Sequence, residues 1–358
     1  MYPGSLRILR AVLIASLVGV LGMGVVLRGW LAGLWAPPLG FSELRSAHSH
    51  LAFYGLVFPG AWWAWSRRGA QPPGPRLLGL YAIAVLASTI AFAIHGYSPV
   101  SIAGSTVVLG VWILWAFPRF RHLGARSWEG VAGPVVLASA IAIPAVAVLS
   151  SRDDPAAGAV VRAFLTWLLL GVAAPAALAR AHAPAPAAWI VATATLGAGL
   201  ALGPLPTLPT RALLAAEGVI LALAGLASTS STPIRIGWTV VGAGLVALGA
   251  GLLPSSYPVT LAGLHFAALG PVLVTLLRPR DSLLSGWSYL ALVGTFSGAI
   301  AAPAFVGGVA WPRISALVGF AVVCVWIVEA VWYARATRGL RGVSSPSMCF
   351  QENAPCET

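Results

Sequence analysis

The chain has 358 residues, of which 59% are hydrophobic and only 8% are charged. Because soluble domains carry about a quarter charged residues, this composition excludes an ordinary soluble protein and indicates an integral membrane protein. The net charge of +12 arises from 21 arginines, with no lysine, against 9 acidic residues. We interpret that excess as a membrane-topology signal, with no nucleic-acid partner.

Apolar runs of about 20 residues, the length that crosses a bilayer, occur twelve times along the chain. Clusters rich in proline, glycine and serine separate them, and the first run lacks a signal-peptide cleavage pattern. The predicted spans are 8–35, 47–66, 77–96, 99–117, 130–150, 157–179, 186–205, 210–230, 235–254, 257–277, 284–306 and 312–334. We therefore predict an all-α bundle of twelve transmembrane helices within a single domain, 1–342, and a short disordered tail, 343–358.

Arginine placement predicts the orientation of these spans. With the N-terminus inside, 15 arginines fall on the inner side and 6 on the outer side, as the positive-inside rule requires. Both termini are thus predicted to be cytoplasmic, with the inner arginines close to anionic lipid. The use of arginine alone, with abundant alanine, glycine and proline, indicates a GC-rich bacterial genome and hence the bacterial cytoplasmic membrane.

Tryptophans are plentiful, and many lie near span ends. Trp62, Trp65, Trp115 and Trp128 are among these. Amphipathic indole rings at span ends are typical of membrane–water interfaces, so the pattern predicts an interfacial aromatic belt.

Two histidines share a His-x4-Gly frame near the outer ends of different spans. His50 lies in HSHLAFYG of span 2, ahead of Gly55, and His265 lies in LHFAALG of span 10, ahead of Gly270. A histidine inside the bilayer is costly unless it is coordinated or hydrogen-bonded. Two at similar depth predict the axial pair of a haem, or part of a copper site. Each glycine leaves space for a flat macrocycle or for a close helix.

Other polar residues gather at the same side. Because positions i and i+2 lie about 200° apart on a helix, His48 cannot face the same site as His50. We interpret His48, together with His95 at the outer end of span 3, as possible copper ligands or as groups that support the ligands.

Glu217 lies inside span 8, about two turns from its outer end. A buried carboxylate must be protonated, paired or solvated. Two interpretations stay open: proton handling, or an ion pair with an arginine such as Arg162 or Arg211.

These features resemble the catalytic subunits of haem–copper oxidases and nitric-oxide reductases, which have twelve spans and cytoplasmic termini. Arg45, His48 and His50 in ELRSAHSHLAFYG look like the start of the family's span 2. LHFAALG looks like the span 10 motif, with His265 at the second histidine of its His-x-His and Gly263 at the first. The resemblance implies a low-spin b-type haem between His50 and His265, near the outer face.

The departures from this family concern its catalytic centre. Its copper site draws histidines from spans 6 and 7, whereas span 6 here has Val172 beside Gly171 and span 7 has no histidine. The oxygen- or nitric-oxide-reducing centre is therefore expected to be absent, and an enzymatic role is not favoured. Twelve-span haem- and copper-containing membrane proteins of nitric-oxide response share the topology and the outer histidines.

The sequence leaves three functional hypotheses. The first is a haem-binding membrane protein with a role in electron transfer, which bis-histidine ligation favours. Its partner would be a quinone or an electron-transfer protein. A variant of this hypothesis is the handling of a diatomic gas or of copper. The second is a small-molecule transporter without a cofactor, with helix breaks at 58–60, Pro175 and Pro303. The third is a structural homologue that acts only with a partner subunit.

Overall fold

The computed structural model describes residues 3–36, 38–66, 73–120, 127–152, 154–277, 282–306, 308 and 310–339. Across these ranges every regular element is helical and no β-strand occurs. The predicted tail, 343–358, lies outside the described residues.

The described residues form twelve helical rods, which we number in chain order and which match the twelve predicted spans in order. They are α1 (Pro3–Leu31), α2 (41–66), α3 (Pro75–His95), α4 (Pro99–Phe120), α5 (Trp128–Ser150), α6 (Ala156–Arg180), α7 (Ala188–Leu202), α8 (Leu208–Leu226), α9 (Thr232–Gly249), α10 (Tyr257–Leu277), α11 (Trp287–Ala301) and α12 (Ala310–Gly339).

Eight of the described helices are long and apolar enough to cross a membrane. They are α1, α3, α5, α6, α8, α9, α10 and α12, and α4 and α7 contain shorter apolar stretches. The all-helical class is therefore confirmed, and the molecule has the character of a multi-pass membrane protein. Twelve crossings with cytoplasmic termini stay a prediction. We refer to the end of the bundle where α1 ends and α2 begins as the outer end.

Helix boundaries follow local backbone chemistry. Prolines in the first turn begin α3, α8, α9 and α10, where a missing N–H costs nothing. The Ser127 hydroxyl accepts a hydrogen bond from the Gly130 N–H, 3.1 Å away, and so caps α5. Gly96 ends α3 at φ 57°, a conformation that glycine adopts without steric cost.

The helices form a closed ring around a three-helix centre. Each helix contacts the next one in the chain, and α12 returns to contact α1. The inner halves of α2, α6 and α10 also pack against one another in the middle. This arrangement brings distant parts of the chain together at the centre.

The three central helices share an irregularity. Each contains a π-helical segment, at Ala52–Val57 in α2, Leu169–Ala173 in α6 and Ala268–Val272 in α10. The three helices that contain these segments, α2, α6 and α10, are four apart in the order of the chain. Such π segments widen a helix locally, release a carbonyl from its usual bond and occur often at functional sites.

Several tryptophans belong to the core and not to an interfacial belt. Trp62, Trp65 and Trp115 are at most 5% exposed, and they pack in one aromatic cluster with Trp112 between α2 and α4. Trp128 is 2% exposed, and its Nε1 donates to the Ala183 carbonyl. The belt prediction was wrong for these rings, because their position near a span end did not reveal that they turn inward.

Candidate functional site

His48 lies in the first half of α2 and faces α1. Its Nδ1 is 3.1 Å from the Val20 carbonyl, which can only accept, so Nδ1 carries the proton and donates. Val20, Gly24 and Arg28 recur every four residues and so share one face of α1. A Cβ on Gly24 would lie 3.4 Å from His48 Cε1, so that the glycine accommodates the ring. This bond leaves Nε2 as the free, basic nitrogen of His48.

His265 has the same local geometry on α10. Its Nδ1 donates to the carbonyl of Leu261, one turn earlier, over 2.8 Å. The ring meets Phe296 of α11 edge to face, with centroids 5.7 Å apart. Its free nitrogen is again Nε2, the atom that a ligating histidine presents when its other nitrogen is anchored.

Arg28 joins these two histidines into one cluster. Its guanidinium carbon lies 5.4 Å from the Phe296 ring centroid, over the same ring that His265 contacts. Both Arg28 and His48 lie close enough to His265 to act on it electrostatically. We call Arg28, His48, His265 and Phe296 the His48/His265 cluster; it joins α1, α2, α10 and α11.

The cluster carries an unbalanced charge. His48 and His265 are each only half-buried by surface area. Across the part of the chain that the structure describes, no carboxylate pairs with Arg28. A half-buried cation without a counter-ion favours an anionic ligand nearby.

His50 faces the opposite side of α2, as the two-residue offset requires. Its Nδ1 donates to the Ser46 carbonyl over 2.8 Å. The ring stacks on Phe92 of α3 at 3.7 Å between centroids, and Tyr54 and Tyr97 contact it at about 5.5 Å. On α2 it is therefore His48, and not the ring of His50, that acts electrostatically on His265. The pairing of His50 with His265 drawn from the shared frame stays a prediction.

Neighbouring tyrosines donate hydrogen bonds to one carbonyl in each of two π segments. The Tyr81 hydroxyl donates to the Tyr54 carbonyl in α2. In α10 the Tyr289 hydroxyl donates to the Leu269 carbonyl over 3.0 Å, and Trp326 Nε1 donates in turn to the Tyr289 oxygen over 2.8 Å. These bonds fix the helix segments directly below the histidines.

The two framed glycines differ in surroundings. A Cβ on Gly55 would lie 2.1 Å from Ser16 Oγ of α1, so this glycine permits a close helix and leaves no space for a macrocycle. Gly270 is buried, and a Cβ there would meet only Val293 at 3.9 Å. Gly263, at the position of the missing family histidine, is exposed with nothing within 4 Å of such a Cβ.

The remaining candidates lie apart from the cluster. His95 and Arg45 are exposed, and Arg45 acts electrostatically on Tyr97 near His50. Glu217 is fully buried, and neither of its carboxylate oxygens has a hydrogen-bonding partner among the described residues, so the ion pair with Arg162 or Arg211 is not formed. Arg162 instead donates to the Leu202 carbonyl. Within the described ranges no three His, Cys, Asp or Glu residues gather as a metal site.

Comparison with protein-family models, with curated proteins and with solved structures found no match for this chain. The site is therefore interpreted from its own residues. Sequence reasoning missed Arg28 and Phe296 as members of the cluster. The available signal was Arg28 itself, a charge in the last turn of an apolar helix that ends on the same side as the histidines.

Proposed function

We propose that the chain is a twelve-span protein of the bacterial cytoplasmic membrane that binds one b-type haem near its outer face. His48 and His265 would be the axial ligands, in place of the pair His50 and His265. The observation that carries this proposal is the matched geometry of two imidazoles on different helices. Each has Nδ1 anchored to a backbone carbonyl and Nε2 free.

The surrounding residues fit such a group. Arg28 supplies a cation without a carboxylate partner among the described residues, which suits a haem carboxylate. Gly24 accommodates the His48 ring, and Phe296 supplies an aromatic wall beside His265.

Each residue has a distinct role in this proposal. His48 and His265 would hold the haem iron, while Val20 and Leu261 orient the imidazoles through their carbonyls. Arg28 would place a positive charge beside the haem. A haem held by two histidines would supply one-electron transfer rather than gas chemistry. We therefore favour electron transfer, with a quinone, an electron-transfer protein or a partner subunit as the other redox partner, over diatomic-gas or copper handling.

A small-molecule transporter is the second candidate, and the three central π segments are the observation that favours it. Broken helices near the bilayer midplane form the binding sites of many transporters. Here α2, α6 and α10 are irregular where they meet, near Pro175 and the 58–60 break. Those segments are largely buried, which favours a structural role for the irregularity.

The decisive experiment is a reduced-minus-oxidised visible spectrum of the detergent-purified protein, with iron and copper analysis. We compare the wild type with His48→Ala, His265→Ala, His50→Ala and the exposed control His95→Ala. The proposal expects a low-spin haem signal that the first two substitutions abolish and the last two retain. Loss in His50→Ala with retention in His48→Ala would restore the original pairing. A colourless wild type without iron would refute the haem proposal and favour the transporter.

A further inference from the structure

A small cavity opens beside His50, on the face of α2 away from the His48/His265 cluster. Its volume is about 30 Å³, and side chains from α2 to α6 and from the α3–α4 connection line it. Its polar lining residues are His50, Tyr54, Tyr97 and Ser105. None of these belongs to the proposed haem site, so this inference does not depend on a haem.

The polar groups around the cavity are incompletely satisfied. Since His50 Nδ1 donates to the Ser46 carbonyl, Nε2 of the neutral ring is a hydrogen-bond acceptor. Tyr54 is 1% exposed and Ser105 is 3% exposed. The two hydroxyls lie close enough to interact with each other, yet neither has a partner of full hydrogen-bond geometry among the described residues. Buried hydroxyls without partners are costly, which indicates a missing partner.

The walls restrict what that partner is. Phe92 stacks over the His50 ring, and Phe164 and aliphatic side chains complete the lining. Among the described residues that line the cavity none is charged, and the exposed Arg45 acts on Tyr97 at its edge. An ion would lose its hydration here without a counter-charge, so an ionic ligand is disfavoured. A single water requires about 10–15 Å³, so the space suits one or two waters.

We propose that this cavity is a binding site for a small neutral molecule that carries an O–H or N–H donor. Water occupies it unless another molecule of that size and chemistry replaces it. The bound molecule donates to His50 Nε2 and accepts from the Tyr54 or Ser105 hydroxyl, so it supplies the missing partners. The site is separate from the His48/His265 cluster, because the two histidines point to opposite sides of α2.

The test is a structure of the full chain at about 2 Å resolution, with and without xenon pressure, for the wild type, Tyr54→Phe and His50→Leu. The proposal expects density within hydrogen-bond distance of His50 Nε2 in the wild type, weakened or displaced in both variants. Xenon should enter the cavity of the His50→Leu variant but not that of the wild type, since a dry apolar cavity binds xenon. Ser105→Ala serves as a second variant if Tyr54→Phe does not fold.

Three results would overturn the proposal: an empty wild-type cavity, xenon bound in the wild type, or density unchanged in both variants. The haem content of each sample is measured in parallel. Loss of haem with the cavity density intact would count against the proposed function alone. Haem retained with an empty cavity would count against the cavity site alone.

Discussion

Two faces of the same helical turn in α2 have opposite environments. His48 is half-buried, beside a glycine and an arginine without an acidic partner among the described residues, and close to a second histidine. His50 is 5% exposed, stacked on Phe92 and enclosed by tyrosines. Both rings donate from Nδ1 to a backbone carbonyl. The residue type is therefore the same on both faces, and the neighbours decide what each histidine is able to bind.

The largest expected effect comes from removing one histidine at a time. We expect His48→Ala or His265→Ala to lower haem occupancy below roughly a tenth of the wild-type value, because each removes an axial ligand. His50→Ala should retain most of the haem, since its ring contacts the opposite face. The measurement is haem per protein by pyridine haemochrome assay. Equal loss in His48→Ala and His50→Ala would erase the distinction between the two faces.

The helices were predictable from the sequence, but their rotation was not. Long apolar runs with proline- and glycine-rich breaks predict the bounds of α1 to α12 to within about six residues, because burial in lipid requires continuous apolar stretches. Which side of α2 faces α10 depends on contacts distant in the chain. Gly19 and Gly24 of α1 admit Leu51 and His48, and Phe92 of α3 covers His50. The His-x4-Gly frame carries no information on those contacts.

The buried tryptophans and Glu217 show the same limit to what the sequence predicts. Hydropathy indicates that an indole lies near a span end, yet not whether it faces lipid or the centre of the ring. Glu217 was recognised as buried, but the sequence left open whether it forms an ion pair; in the structure neither carboxylate oxygen has a partner among the described residues, and Arg162 donates to the Leu202 carbonyl. The π segments were not predicted at all. Breaks near Pro175 and 58–60 indicated irregularity, and only packing decides whether a helix bends or widens.

Replacing Arg28 tests the charge that distinguishes the His48 face. We expect Arg28→Leu to weaken haem binding by about 1.5–3 kcal/mol, the usual size of a hydrogen bond to a charged group. Because the cation stabilises the reduced haem, its loss should also lower the midpoint potential. Titration of haem into the purified apoprotein and a redox titration measure the two effects.

Arg28→Lys is the matched control. It keeps the charge but loses the planar guanidinium, so the potential should stay closer to the wild-type value than the affinity does. If Arg28→Leu left the haem affinity and the midpoint potential unchanged, Arg28 would not be part of the haem site.

Gly55 and Gly270 provide a matched test of packing below the histidines. A Cβ on Gly55 would lie 2.1 Å from Ser16 Oγ, whereas one on Gly270 would have only an ordinary contact at 3.9 Å. We expect Gly55→Ala to destabilise the protein by about 1–3 kcal/mol, as overpacking does, and Gly270→Ala to change stability little. Thermal unfolding in detergent compares the two. Equal stability of both variants would mean that α1 shifts freely away from α2.

The smallest expected effect concerns the tyrosines that bind the π-segment carbonyls. Tyr289→Phe removes the donor to the Leu269 carbonyl and the acceptor for Trp326 Nε1, while Tyr257→Phe changes an exposed ring on the same bundle. We expect the first to cost roughly 0.5–1.5 kcal/mol and the second to be close to neutral. Melting of the detergent-purified variants gives the comparison.

If Tyr289 also fixes His265 by holding the helix segment below it, Tyr289→Phe should broaden the low-spin haem band without removing it. A loss of stability with an unchanged band would restrict Tyr289 to a packing role, leaving His265 oriented by the Leu261 carbonyl and Phe296 alone.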